Sequence, residues 1–326
     1  MADPIPSRLL PDNTTIDANG RGSIGGCDLV ELAEQFGTPL FVYDENHLRA
    51  RCREAVEAFG EGVAYAGKAF LCGAMSRLVV EEGMNIDVAT GGELYMALHA
   101  GIDGSRLIMH GNNKSEQELR MAIEAGVSRI IVDSFDELDR LEILYQETGI
   151  SPKILLRITP GVEAHTHEFI STGQDDSKFG FTVSTGIASK AIEKAAHTEA
   201  VELVGIHAHI GSQVFKVDSF VKAVEVMAEF SNPLNLPELS IGGGLGVSYL
   251  EEDNAPSITE WGEAVKSACS QSNIKAKVTA EPGRAIAASA AVTLYRVGTI
   301  KHLEGLRTYV AVDGGMSDNP RPVLYG

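Results

Sequence analysis

The chain has 326 residues, 44% of them hydrophobic, enough to bury a large core in one or two domains. Its 27 basic against 45 acidic residues give a formal charge of −18, which argues against nucleic acid or an anionic membrane as partner. Cys27, Cys52, Cys72 and Cys269 form no C-x-x-C pair, so neither a zinc cage nor a disulfide framework is indicated, and no apolar run approaches the roughly 18 residues of a membrane span.

The N-terminal stretch MADPIPSRLLPDN lacks the basic segment and apolar run of a signal peptide, so a reducing, cytoplasmic setting is expected. An apolar run, PLFVYD (39–44), precedes eight short β-branched runs. These are VAYAGKA (63–69), NIDVAT (85–90), LIMHG (107–111), RIIVDS (129–134), KILLRITP (153–160), LVGIHAHIG (203–211), ELSIGGG (238–244) and AKVTAEPG (276–283). The first four start at residues 63, 85, 107 and 129, a 22-residue step with room for a strand, a helix and two short loops. The intervening segments fit, for example SEQELRMAIEAG (115–126), with a Ser cap, Glu118 at the capping-box position and Gly126 at the end.

Eight alternating units predict a parallel (β/α)8 barrel of TIM type, with an open sheet as the alternative. After the eighth run the pattern changes to long β-like stretches, AVTLYRVGTIKHL (291–303) and RTYVAVDGG (307–315). The expected organisation is an N-terminal segment 1–43 that joins an all-β domain, a barrel over 44–288, and the rest of the β domain over 289–326.

In a parallel barrel the C-terminal strand ends hold the active site, and here nearly every run ends on a polar residue. Lys68 ends the first. In GVAYAGKAF (62–70) it reads as an ammonium in a strand of small apolar residues, costly to bury unless paired or deprotonated. Asp87 lies in the second run with Thr90 and Glu93 after it, HGNNK (110–114) ends the third, and Arg157 is in the fifth. His207 and His209 share a face of the sixth, while Glu281 and Arg284 close the eighth. The seventh runs into GGGLG (242–246), whose glycines can aim several N–H groups at one anion, after the barrel strand where phosphate sites recur. A dinucleotide fingerprint fails, because Val247 stands where G-x-G-x-x-G needs glycine.

An amine, a phosphate nest and a carboxylate in one barrel mouth suit pyridoxal phosphate. Lys68 would join its aldehyde as an imine, Glu281 would keep the pyridine nitrogen protonated, and Arg284 would bring a fixed charge for phosphate or carboxylate. Each residue also has a structural explanation. Lys68 alone would snorkel from a strand end, the two histidines would be satisfied core residues, and Glu281 with Arg284 would form an ion pair. HTHE (165–168) has a metal-like pattern but lacks a third ligand, so no metal is expected. Convergence on one end of one barrel favours the functional explanation.

YAGKA (65–69), HGNNK (110–114), HIGSQ (209–213), GGGLG (242–246), EPGR (281–284) and DGGMSDNPRPVLYG (313–326) together resemble the diaminopimelate decarboxylases, in the alanine-racemase-like fold of pyridoxal-phosphate enzymes. Decarboxylases of ornithine or arginine would share that fold, and are the alternative. The resemblance implies that Lys68 is the Schiff-base lysine and that His209 stacks on the cofactor ring. It places Ser212, Gly242, Gly243, Gly244, Gly246, Gly283 and Arg284 around the phosphate and Glu281 on the pyridinium nitrogen. It assigns Arg284, Arg321 and Tyr325 to the substrate. The implied reaction converts meso-diaminopimelate to L-lysine and CO2, the last step of lysine biosynthesis, in a homodimer with active sites at the interface.

The sequence departs from that family in one respect. A C-E-S-G-D motif, whose cysteine is the family's proposed proton donor, and a later tyrosine have no counterpart in these 326 residues. The corresponding expectation is a partial sequence that binds the cofactor yet is nearly inactive or poorly soluble by itself, with no proton donor assigned among the four cysteines.

Overall fold

The structure is a computed structural model in which residues 5–162, 176–320 and 324 are described; HTHE (165–168), Arg321 and Tyr325 lie outside them. It divides into two compact units, one of Met1–Leu48, Tyr249–Glu251 and Ser289–Gly326, the other of Arg49–Ser248 and Glu252–Ala288.

Three short antiparallel strands come first, β1 (Thr14–Ile16), β2 (Gly22–Ile24) and β3 (Cys27–Asp28). Asp28 then starts α1 (Leu29–Phe36), its carboxylate accepting from the N–H groups of Val30 and Glu31 that the first helical turn leaves unpaired. The PLFVYD run is β4 (Leu40–Tyr43), and α2 (Glu45–Phe59) leads into the second unit.

That unit alternates β5 (Ala64–Ala66), α3 (Gly73–Glu81), β6 (Asn85–Val88), α4 (Gly91–His99), β7 (Leu107–Met109), α5 (Glu116–Glu124), β8 (Arg129–Val132) and α6 (Phe135–Thr148). It continues with β9 (Lys153–Thr159), a two-residue β10 (Phe181–Thr182) that pairs with β9, α7 (Ile187–Ala196), β11 (Glu202–His207) and α8 (Val217–Ser231). β12 (Glu238–Ser240), α9 (Ile258–Gln271), β13 (Lys277–Thr279) and the short α10 (Arg284–Ala287) complete it. The eight parallel strands pair in sequence order from β5 to β13, leaving out β10; seven lie within the eight runs and β11 starts one residue before its run. Ala64 N–H donates to Ala280 O at 3.0 Å and Ala66 N–H to Pro282 O at 3.1 Å, bringing the last strand's exit onto the first. The expected (β/α)8 barrel is therefore the observed one, and the open sheet is not.

Local chemistry explains why the elements stop where they do. Ser115 and Glu118 form the expected capping box at the start of α5, and Ser257 with Glu260 repeats it on α9. The strands inside the barrel are buried along nearly their whole length, as parallel strands covered on both faces require: Ile86, Asp87 and Val88 on β6, and Ile154, Leu155 and Leu156 on β9. Outside them Trp261 of α9 is fully buried, its ring 4.6 Å from Phe59 and 5.1 Å from Phe220.

The remaining elements belong to the first unit. β14 (Ala291–Leu294) pairs antiparallel with β4, Ala291 opposite Tyr43, so a strand from each side of the barrel sequence meets in one sheet. β15 (Val297–Leu303) and β16 (Arg307–Val312) form an antiparallel hairpin, exposed along almost its whole length. Among the described residues no helix is long and apolar enough to cross a membrane.

Candidate active site

Parallel register sets the level of the polar residues. Ala66 pairs with Asp87; on the other wall Arg157 pairs with His207, His207 with Ser240, and Ser240 with Thr279. All lie at the C-terminal ends of their strands, on the face of the barrel where loops supply chemistry.

Lys68 differs from its expected setting. The first strand ends at Ala66, and Gly67–Ala69 form a single 3-10 turn that carries Lys68 out to an exposed position. Fully buried Tyr65 ties that turn down, its hydroxyl donating to Phe70 O at 2.7 Å. The lysine is thus presented at the barrel mouth rather than buried in a strand, and Asp87 and His209 both feel its charge.

Glu281 is buried, and each of its oxygens has a partner. Ser240 Oγ donates to Oε1 at 2.5 Å, and His207 Nε2 lies 3.0 Å from Oε2. Burial by itself would raise this carboxyl, but His207 and His110 beside it, with those hydrogen bonds, hold it below the usual range. Asp87 moves the opposite way. Burial and the Glu281 charge push it well above the ordinary aspartate value, with Lys68 opposing. As pH falls, Asp87 therefore takes a proton before Glu281 does.

His110, first residue of HGNNK, completes this cluster. Its Nε2 lies 3.5 Å from Asp87 Oδ1 and 3.9 Å from Glu281 Oε1, and its ring meets His207 edge-on at 5.3 Å between centroids. Burial drives its pKa down to about 3, so the ring is neutral. His209 follows the end of β11 and is half-buried; burial and Lys68 likewise hold it well below the usual histidine value, and its Nδ1 accepts from Gly243 N–H at 3.2 Å.

The second group lies on the loops after β11 and β12. Arg284 Nη2 donates to Ser212 Oγ at 3.2 Å. In the glycine run, Gly242 N–H donates to Ser240 Oγ, Gly243 N–H to His209 Nδ1 and Gly246 N–H to Val214 O. Among the described residues the N–H groups of Gly244 and Leu245 make no such bond. The run has to be glycine: a Cβ on Gly243 would strike Glu281 O, and at Gly244, with φ +114°, it would strike Gly211 O. Gly283 is buried at the start of α10, where a Cβ would press on Ala66 at 2.9 Å.

Several residues of this mouth are not evident from the sequence pattern. Ser240 sits inside the ELSIGGG run, a hydroxyl in a buried strand. Asp133, at the end of RIIVDS, lies 3.6 Å from the Arg157 guanidinium and accepts from Gly180 N–H at 2.7 Å, while Arg157 stacks 4.2 Å above Phe179. Lys114 is 2% exposed and points into the scaffold, its Nζ donating to Gly111 O and Ile131 O and pairing with Glu137 at 2.7 Å. Thr90 and Glu93 serve the chain locally, Thr90 capping α4 and Glu93 accepting from Ala89 N–H.

A family model described as the pyridoxal binding domain of pyridoxal-dependent decarboxylases matches residues 45–288. The chain is 47% identical to diaminopimelate decarboxylase of Mycobacterium tuberculosis, with 99% of this chain and 77% of that protein aligned. The chain belongs to the diaminopimelate decarboxylase family. The Bacillus subtilis member is 46% identical, over 94% of this chain and 74% of its own length. The crystal structure of diaminopimelate decarboxylase from M. jannaschii in co-complex with L-lysine superimposes with a TM-score of 0.89 at 34% identity, covering 96% of this chain and 76% of that one.

The family's cofactor, pyridoxal phosphate, fits these residues. An exposed amine stands at the rim, and an anionic carboxylate whose oxygens each keep a lone pair lies below. Two buried polar atoms, Asp87 Oδ1 and His110 Nε2, have no hydrogen-bond partner among the described residues. Ser212, Arg284 and the glycine run supply donors suited to a phosphate. His110, His207 and Glu281 lie within 4.8 Å of one another by their ligand atoms, with His207 Nε2 set against Glu281 and Ser240 bonded to the same carboxylate.

Proposed function

We propose that this family member binds pyridoxal phosphate at the barrel mouth and decarboxylates meso-2,6-diaminopimelate to L-lysine and CO2, the last step of lysine biosynthesis. The observation that carries the reading is Glu281, a buried carboxylate kept anionic by Ser240 and two histidines on the same rim as the exposed Lys68. The 47% identity to diaminopimelate decarboxylase supports the substrate.

Bound pyridoxal phosphate supplies the electron sink for the pair left behind when CO2 departs from Cα. Lys68 would hold the cofactor through its amine, and its Nζ would be placed to take or return a proton. His209 covers a flat ring while uncharged, so no second cation sits beside a protonated pyridine. Glu281 holds the proton on the ring nitrogen, and its own low proton affinity prevents it from taking that proton back. Ser212, Gly242, Gly243, Gly244, Gly246, Gly283 and Arg284 surround the phosphate. Arg284, Arg321 and Tyr325 bind the substrate, the last two through its distal carboxylate.

Residues 44–288 are assigned to the cofactor-binding barrel, and 1–43 with 289–326 to the all-β domain. Two copies associate with the active site at their interface, and the reaction is cytoplasmic. Incubation with pyridoxal phosphate and meso-diaminopimelate should release L-lysine and CO2 in equal amounts, with ornithine and arginine at least about 100-fold slower. Absence of lysine from cofactor-loaded protein, or faster turnover of ornithine, ends this reading.

A further inference from the structure

Two loops at the mouth, 210–214 after β11 and 242–247 after β12, run side by side. Val214 N–H donates to Gly244 O at 2.9 Å, and Gly246 N–H donates back to Val214 O at 3.0 Å. This is a bridge of one residue pair, Val214 with Leu245. Gln213 adds a second tie: its Nε2 donates to Val247 O at 2.7 Å, and its Oε1 accepts from Val247 N–H at 3.1 Å. A side-chain amide has a donor and an acceptor side by side, so it pairs with Val247 as a strand residue would.

This pairing comes with an unusual backbone. Gln213 has φ +60°, and the only other described non-glycine residues with positive φ are Asn235 and Asn273. Asparagine tolerates that region through its short side chain, whereas glutamine has no such preference, and strained backbone persists where surrounding structure dictates it. The strained residue also immediately follows Ser212, which accepts from Arg284.

We propose that Gln213 is the positioning residue of the anion cradle. By pairing with Val247 from a left-handed backbone, it locks the two loops together so that Ser212 Oγ, Arg284 and the Gly244 N–H face one phosphate. The role rests on the cofactor reading above. It touches neither the reacting carbon nor the amine, so its effect is specific to the phosphate end of the ligand.

Titration of cofactor-free protein with pyridoxal phosphate and with pyridoxal, which has no phosphate, separates this role from general support. Binding is read by the absorbance of the bound cofactor in the unaltered chain, Gln213→Ala and Gln213→Gly. Both variants should weaken pyridoxal phosphate about tenfold or more, as expected for two lost hydrogen bonds, and pyridoxal by less than about twofold. Glycine takes φ +60° without strain, so that variant removes the amide alone and decides the matter if the alanine variant does not fold. Equal losses for the two ligands, or an unchanged affinity for pyridoxal phosphate, overturn the proposal. An unaltered chain that binds neither ligand overturns the cofactor reading itself, an outcome distinct from either of these.

Discussion

The two ends of the barrel mouth are made of different materials. Around Glu281 the work is done by side chains on strand ends, Asp87, His110, His207 and Ser240, whose burial sorts protons among them. Around Ser212 and Gly244 it is done by backbone, with glycines admitting close approach and Gln213 holding two loops in step. A side-chain site can be tuned by changing neighbours, because each group's charge depends on the others. A backbone site has fixed donors, and only its shape can be lost. Mutations at the first end should therefore change turnover at saturating cofactor, and those at the second should change cofactor affinity.

The largest effect is expected at the amine: Lys68→Ala should lower lysine formation about 10⁴-fold, measured by product release. Retention of activity within about tenfold of the original chain would falsify the role given to this lysine. Next comes the scaffold beneath the side-chain end. Lys114→Met leaves Glu137 buried and unpaired, and should cost about 3–5 kcal/mol in denaturant unfolding. Lys114→Met combined with Glu137→Leu should recover most of that loss. If the double variant is no more stable than the single, the pair is not what ties the loop after β7 to the start of α6.

Two smaller changes set the ends against each other. Glu281→Gln keeps the shape but removes the charge, and should lower kcat about 10²-fold at saturating cofactor. Ser212→Ala should do the reverse, raising the Kd for pyridoxal phosphate about tenfold by taking a partner from Arg284, with kcat at saturation nearly unchanged. A kcat loss in the serine variant, or a pure affinity loss in the glutamine one, would erase the distinction.

The same division explains what the sequence makes legible. The first four barrel strands stand out by their 22-residue step and the rest as short apolar runs, yet most runs overshoot their strands, since polar residues at their ends belong to the loops. That is why Lys68 reads as a buried charge: the strand stops at Ala66, two residues earlier than GVAYAGKAF suggests. Lys68, His209, Glu281 and Arg284 are legible because their residue types name their chemistry. Gln213 is visible in HIGSQ but silent, because its role depends on a backbone angle and a facing loop. Asp133, Glu137 and Ser240 are hidden for a related reason. Their partners lie on other barrel strands or on the adjoining loops, and only the register shows which residues stand level.

The most delicate test of the side-chain end is its proton sorting, read through stability. His110 has its pKa lowered to about 3 by burial, whereas an unfolded chain protonates it near the ordinary value of 6.5. A lowered pKa means that the native state binds fewer protons than the unfolded one, so this contribution is complete above pH 6.5 and is lost as pH falls toward about 3. Glu281, also lowered, acts in the same direction but only below the ordinary glutamate range, so it is silent between about pH 6.5 and 5. Asp87, raised, has the opposite sign and stabilises as pH falls. His207, Arg157 and Lys114 also bear on His110. Replacing His110 by leucine therefore removes one term and leaves the others. Over about pH 6.5 to 5, unfolding free energy should fall with pH less steeply in His110→Leu, by up to about 1.4 kcal/mol per pH unit. Denaturant midpoints at matched pH values give the comparison, and parallel slopes would mean that His110 is not the neutral member of this cluster.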